Sequence, residues 1–124
     1  YYSTKEIARM LEEETIEISP LAFMRGRTFK KAWIVADEMQ NATPSQMKML
    51  LTRLGEGSKI VVTGDVKQAD RSDVKNGLLN LSSLIGGHLF DEKKLNFIRS
   101  CQFSNKDIER HPAVTEVLEL YGEK

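Results

Sequence analysis

Ala32-Trp33-Ile34-Val35-Ala36-Asp37-Glu38 is a continuous apolar run that stops abruptly at two acids. A run this short and apolar reads as a strand buried on both faces of a parallel sheet, which assigns Trp33 to the core. Lys59-Ile60-Val61-Val62-Thr63-Gly64-Asp65 repeats the pattern and also ends in a carboxylate. Between the two runs, Thr43 is a helix N-cap, Pro44 occupies the favoured first helical position, and Gln46 is the capping-box partner. Met47, Leu50, Leu51 and Leu54 give that helix an apolar face, with Gly55 or Gly57 expected to end it. Strand, helix and strand in succession make a βαβ unit with a right-handed crossover.

On the N-terminal side, Ser3-Thr4-Lys5-Glu6 opens a first helix expected to end near Glu14, and Thr15 to Ser19 alternates like a short strand before Pro20. Pro20 to Lys31 reads as a basic loop. Beyond Asp65, a charged loop to Asp73 leads into a helix carrying Leu78, Leu79, Leu81, Leu84 and Ile85, closed by Gly86-Gly87. Leu95 to Arg99 reads as a last strand, and Pro112 starts a terminal helix with Val114, Val117, Leu118 and Tyr121 on one face. The alternation predicts an α/β fold, a three-layer arrangement around a parallel sheet.

Lysine plus arginine and aspartate plus glutamate number 18 each, so attraction to nucleic acid has to come from local clustering. Arg25, Arg27, Lys30 and Lys31 form one such cluster with no acid between them, and are the candidates for contact with RNA or single-stranded DNA. The competing reading is a solvated loop, or arginines paired with acids from a neighbouring subunit. Phe23 is expected to pack, with base stacking as its alternative. The single Cys101 fits a reducing compartment and excludes an intrachain disulfide; a buried or half-buried thiol is expected there. No apolar stretch approaches the roughly 20 residues that span a bilayer, so a cytoplasmic protein without membrane contact is expected. Tyr1 in place of Met suggests a chain cut from a longer one.

Ligands of open parallel sheets gather at the carboxyl ends of the strands, which singles out Asp37-Glu38 and Gly64-Asp65. An Asp at such a strand end can hold Mg²⁺, directly or through water, and a following Glu can orient and deprotonate an attacking water, the logic of a Walker B motif. Gln68 lies just past the second strand end, where an amide can bridge a bound phosphate or its attacking water to a nucleic-acid site. The bland alternative makes Asp37 and Glu38 the start of a solvated loop, and Gly64 a turn residue supplying backbone freedom with Gln68 exposed. A different chemistry would gather Asp37, Glu38, Asp65, Asp70 and Asp73 into a two-metal nuclease site. His88 and His111 have no neighbours at ligand spacing and read as structural.

Pro20-Leu21-Ala22-Phe23-Met24-Arg25-Gly26-Arg27-Thr28, Asp37-Glu38-Met39-Gln40-Asn41, Thr43 to Arg53, Ser58 to Asp65 with Gln68 and Asp70, and Asp107-Ile108-Glu109-Arg110-His111-Pro112 together resemble PhoH-like proteins, in the family's order from Ile16 to the C-terminus. The resemblance implies a RecA-like P-loop ATPase core, incomplete here, with residues 1–124 as the C-terminal portion of one such domain. It also implies ATP and Mg²⁺ as cofactors, coupling to RNA or DNA as in a helicase, and a homo-oligomer. Under it, Asp37 is the metal-associated and nucleotide-binding acid and Glu38 the catalytic base. Gln68 is the γ-phosphate sensor, and Arg110 a phosphate-contacting or intersubunit arginine that could instead cap its helix or pair with Glu109 or Asp107. The family's Gly-x-x-x-x-Gly-Lys-Ser/Thr loop has no counterpart: Gly55-Glu56-Gly57-Ser58-Lys59 differs in spacing and precedes a strand. This chain alone is therefore expected to bind ATP weakly or not at all and to be inactive, the parent protein being the ATPase. A catalytically silent assembly module is the remaining alternative.

Overall fold

The computed structural model describes residues 1–67 and 76–123. Strand β1 (Trp33–Ala36) pairs in parallel with β2 (Lys59–Val62), in the register Trp33↔Lys59 through Ala36↔Val62. The crossover between them is helix α2 (Pro44–Leu51), and its start is chemically specified: Thr43 Oγ1 accepts from Gln46 N at 3.1 Å while Gln46 Oε1 accepts from Thr43 N at 2.9 Å. Helix α1 (Thr4–Glu12) begins with the same device, built from Ser3 and Glu6. Helix α3 (Gly77–Phe90) follows β2, and helix α4 (Pro112–Leu120) closes the chain.

The chain forms two compact units, Tyr1–Lys93 and Lys94–Lys124. In the first, Met24, Ala36, Met39, Ala42, Met47 and Leu50 make the buried core, with Leu21, Phe29, Met49, Leu51, Val62, Leu78 and Leu81 packed around it. Met47 and Leu50 are each 2% exposed, and burial of side chains of this size contributes about 1.5–3 kcal/mol apiece. Gly77 lets α3 start against α2, since a Cβ there would lie 2.6 Å from Thr43 O and 2.7 Å from Ala42 O. Its own N–H donates to Ala42 O at 2.7 Å.

The α/β class and the parallel βαβ unit agree with the sequence. Within the described residues two strands form the sheet and one of its faces is covered, which is consistent with part of the expected three-layer arrangement. Ala36, Ile34, Ile60 and Val62 point inward, while Trp33, Val35 and Val61 are exposed, Trp33 at 72% with Lys59 Nζ 5.1 Å from its ring. Apolarity on both faces of a strand is legible in the sequence, but Trp33, expected in the core, is exposed among the described residues. Thr15–Ser19 and Leu95–Arg99 are not strands either. No ladder forms beside them, and Arg99 Nη1 folds back to donate to Leu95 O and Ile98 O at 2.7 and 2.9 Å. Helix α3 runs through Gly86 and Gly87 instead of stopping there, and α2 ends at Leu51, before either expected glycine. Phe23 and Cys101 are exposed. Among the described residues no helix is long and apolar enough to cross a membrane.

Candidate functional site

Parallel register sets the site. Because Ala36 is opposite Val62, the next residues, Asp37 and Thr63, meet at the carboxyl ends of β1 and β2. Thr63 Oγ1 donates to Asp37 Oδ1 at 2.6 Å, and Glu38 N donates to the same oxygen at 3.0 Å. Both bonds fix the orientation of the carboxylate. Asp37 is exposed, and Oδ2 has no hydrogen bond among the described residues. One carboxylate oxygen beside a hydroxyl is a hard-oxygen donor set of the kind Mg²⁺ takes, so the residues present fit that ion.

Glu38 turns the chain sharply, with φ 55° and ψ 37°. A non-glycine residue in this left-handed region costs about 1–2 kcal/mol, and such strain concentrates where a side chain must be aimed. The 3₁₀ turn Met39–Asn41 follows, burying Met39 and Gln40. The Gln40 amide donates through Nε2 to Glu38 Oε2 and accepts through Oε1 from Asp65 N at 3.1 Å. Met39 N reaches Thr63 O at 3.0 Å. Glu38 and Asp65 are thus joined through one buried amide, with Asp37 tied to the adjoining Thr63.

Gly64 sits against that amide. A Cβ at this position would collide with Gln40 Oε1 and come within 2.8 Å of Leu78 Cδ2. The need for glycine is therefore space, and the reading of Gly64 as a source of backbone freedom is corrected. Asp65 Oδ1 accepts from Lys67 N at 2.9 Å, turning the chain away from the sheet. Asn76 reaches back to Val66 O at 3.1 Å while its Oδ1 caps α3 at Leu79 N, 3.0 Å away.

Gln68, Asp70 and Asp73 lie outside the described residues. Among the described residues no three His, Cys, Asp or Glu side chains gather as a metal cluster. Arg110 belongs to the second unit, where it is exposed; it forms no ion pair among the described residues. Its helix is capped instead by His111, whose Nδ1 accepts from Ala113 N at 3.2 Å, and the Asp107 carboxylate is engaged with Ser104 N and Oγ.

The basic cluster divides. Arg27 makes a two-pronged pair with Glu17, Nη1 to Oε1 at 2.6 Å and Nη2 to Oε2 at 3.0 Å, and lies 4.6 Å over the Phe29 ring. The hydrogen bond from Arg27 holds the Glu17 carboxyl below its usual range. Arg25, Lys30 and Lys31 are exposed and form no ion pairs among the described residues.

Thr63 and Gln40 are the site residues that strand-end reasoning left without a role. The signal for Thr63 was the equal spacing that puts it opposite Asp37 once the strands are parallel. Gln40 gave none, because a glutamine in a polar stretch does not announce its burial.

A family model described as PhoH-like protein matches residues 1–122. The chain is 44% identical over 117 residues to a PhoH-like protein of Bacillus subtilis, covering 94% of this chain and 34% of that protein. It is 39% identical over 121 residues to a PhoH-like protein of Synechocystis, covering 98% and 35%. Protein PhoH of Escherichia coli is 56% identical over 55 residues, covering 44% and 16%. The chain spans about one third of the length of the longest-matching of these relatives.

Proposed function

The chain belongs to the PhoH-like family, and on that premise we propose that it supplies the hydrolytic half of a RecA-like P-loop ATPase site. The observation that carries the reading is the pair Asp37-Glu38 at the carboxyl end of a parallel strand, with Asp37 already oriented by Thr63 of the neighbouring strand.

In this reading Asp37, with Thr63 beside it, holds the Mg²⁺ of MgATP directly or through water. When bound, that ion neutralises charge developing on the transferred phosphoryl group. Glu38 orients the attacking water and takes its proton; its exposed carboxylate, held from one side by Gln40, leaves room for a water on the other. Gln68 senses the γ-phosphate, and Arg110 contacts phosphate, in the same or a neighbouring subunit of a homo-oligomer. The exposed Arg25, Lys30 and Lys31 take single-stranded nucleic acid, RNA or DNA, and a cytoplasmic setting suits both ligands.

The test is Glu38→Gln in a full-length PhoH-like protein whose matched third is this chain. Glutamine keeps an acceptor for Gln40 but cannot take a proton. Turnover of MgATP should fall about 10²–10⁴-fold with nucleotide binding retained. Full turnover in that protein would remove Glu38 from the base role.

A further inference from the structure

Gln40 is 3% exposed, and among the described residues its side chain is the buried polar one in the core of the first unit. An amide in such a place is costly unless both its ends are satisfied. Here each end faces a group that admits one orientation only. Glu38 offers a carboxylate, which accepts, and Asp65 offers a backbone N–H, which donates. Flipping the amide would set oxygen against carboxylate and NH₂ against N–H, so the amide has one stable orientation. Gly64, stripped of a Cβ, makes the space for Oε1.

From this geometry we infer that Gln40 is a positioning residue that couples the orientation of Glu38 to the turn Gly64–Asp65 after β2. The inference rests on the reading of Glu38 as the base. Withdrawing Asp65 N strips Oε1 of a partner inside the core, and the amide can recover one only by moving, which drags or releases the Glu38 carboxylate. A displacement of the Gly64–Asp65 turn is thereby transmitted to the base, over two hydrogen bonds and one rigid amide plane.

The coupling is tested on this chain by a double-mutant cycle read at the Asp65 amide in ¹⁵N–¹H spectra. Glu38→Gln should shift the Asp65 amide and the Gln40 side-chain NH₂ signals. In a Gln40→Met background, which keeps the volume and removes the amide, the same Glu38 change should leave the Asp65 amide where it was. Equal displacement in both backgrounds, or none in the first, overturns the coupling. Should Gln40→Met fail to fold, Gln40→Glu takes its place: it retains an acceptor for Asp65 N and sets a like charge against Glu38. In the full-length protein Gln40→Glu should lower kcat by about tenfold or more with KM for MgATP unchanged, the pattern of a group acting through the transition state. A rise in KM alone would overturn the positioning role. The two readings separate cleanly: persistent turnover in Glu38→Gln defeats the base assignment whatever the spectra show, while an absent coupling beside an inactive Glu38→Gln defeats only the role of Gln40.

Discussion

Thr63 Oγ1 donates to Asp37 Oδ1 across the ends of two parallel strands, at 2.6 Å and 26 residues apart in sequence. The bond fixes which carboxylate oxygen faces outward. Thr63→Val keeps the shape and β-branching of the side chain and deletes only the donor. A hydrogen bond to a charged group contributes about 1.5–3 kcal/mol, less where water competes, so a rise of roughly 3–10-fold in the Mg²⁺ concentration for half-maximal ATP hydrolysis is expected. An Mg²⁺ titration of turnover in the full-length protein checks it, and an unchanged midpoint would show that Thr63 does not help hold the ion.

That pairing also marks how much was legible in the sequence. The apolar runs ending at Asp37 and Asp65 located the strand ends, and Thr43-Pro44-Ser45-Gln46 located the start of α2, because strand burial and helix capping are local chemistry. The roles of Gln40 and Gly64 depend on which atoms meet across the sheet, and no local pattern carries that. The same limit explains Leu95 to Arg99: its residues suit a strand, but a strand exists only beside a partner, and Arg99 turns the backbone carbonyls inward to itself. Gly86-Gly87 looked like a stop signal and lies inside α3, since two weak helix formers do not outweigh the turns on either side.

The glycines separate by what surrounds them, and alanine substitution should reveal it in urea midpoints. At Gly64 the new methyl meets the ends of the Gln40 and Leu78 side chains and Gln40 N at 3.2 Å; overpacking of this kind costs about 1–3 kcal/mol. At Gly77 it meets Thr43 O and Ala42 O, backbone atoms that cannot rotate away, so the loss should be the larger of the two. At Gly86 nothing lies within 4 Å, and the helix interior should gain about 0.5–1 kcal/mol. A Gly64→Ala protein as stable as the parent would show that Gln40 is not confined there.

Among the described residues three carboxyls are held below their ordinary range: Glu6 first by the Ser3 backbone N–H, Asp107 first by the Ser104 backbone N–H, and Glu17 first by the Arg27 guanidinium. A carboxyl whose folded value is depressed contributes stability above its unfolded value, near 4 for these acids, and loses it as pH falls through the folded one. Acidification from about pH 4.3 downward should therefore fray α1 at its start and release Arg27 from Glu17. Glu6→Gln keeps the reach back to Ser3 N without a titratable group, so amide protection at the start of α1 should become independent of pH in that variant. Persistent acid fraying there would put the cause elsewhere.

Arg27 differs from its neighbours because Glu17 already neutralises it. For single-stranded RNA each phosphate contact contributes about 0.7 to the slope of log affinity against log salt. Arg25→Ala and Lys30→Ala should each lower that slope by about 0.7 and weaken binding to all sequences alike. Arg27→Ala removes a charge whose counterion is an internal carboxylate, so the slope should stay close to the parent value while the loop loses its anchor at residue 17. Fluorescence anisotropy with a labelled homopolymer RNA, measured on the full-length protein from low to physiological salt, distinguishes the three. A full loss of slope at Arg27 with none at Arg25 and Lys30 would move the nucleic-acid contact from the exposed cations to the paired one, and would require Glu17 to release Arg27 on binding.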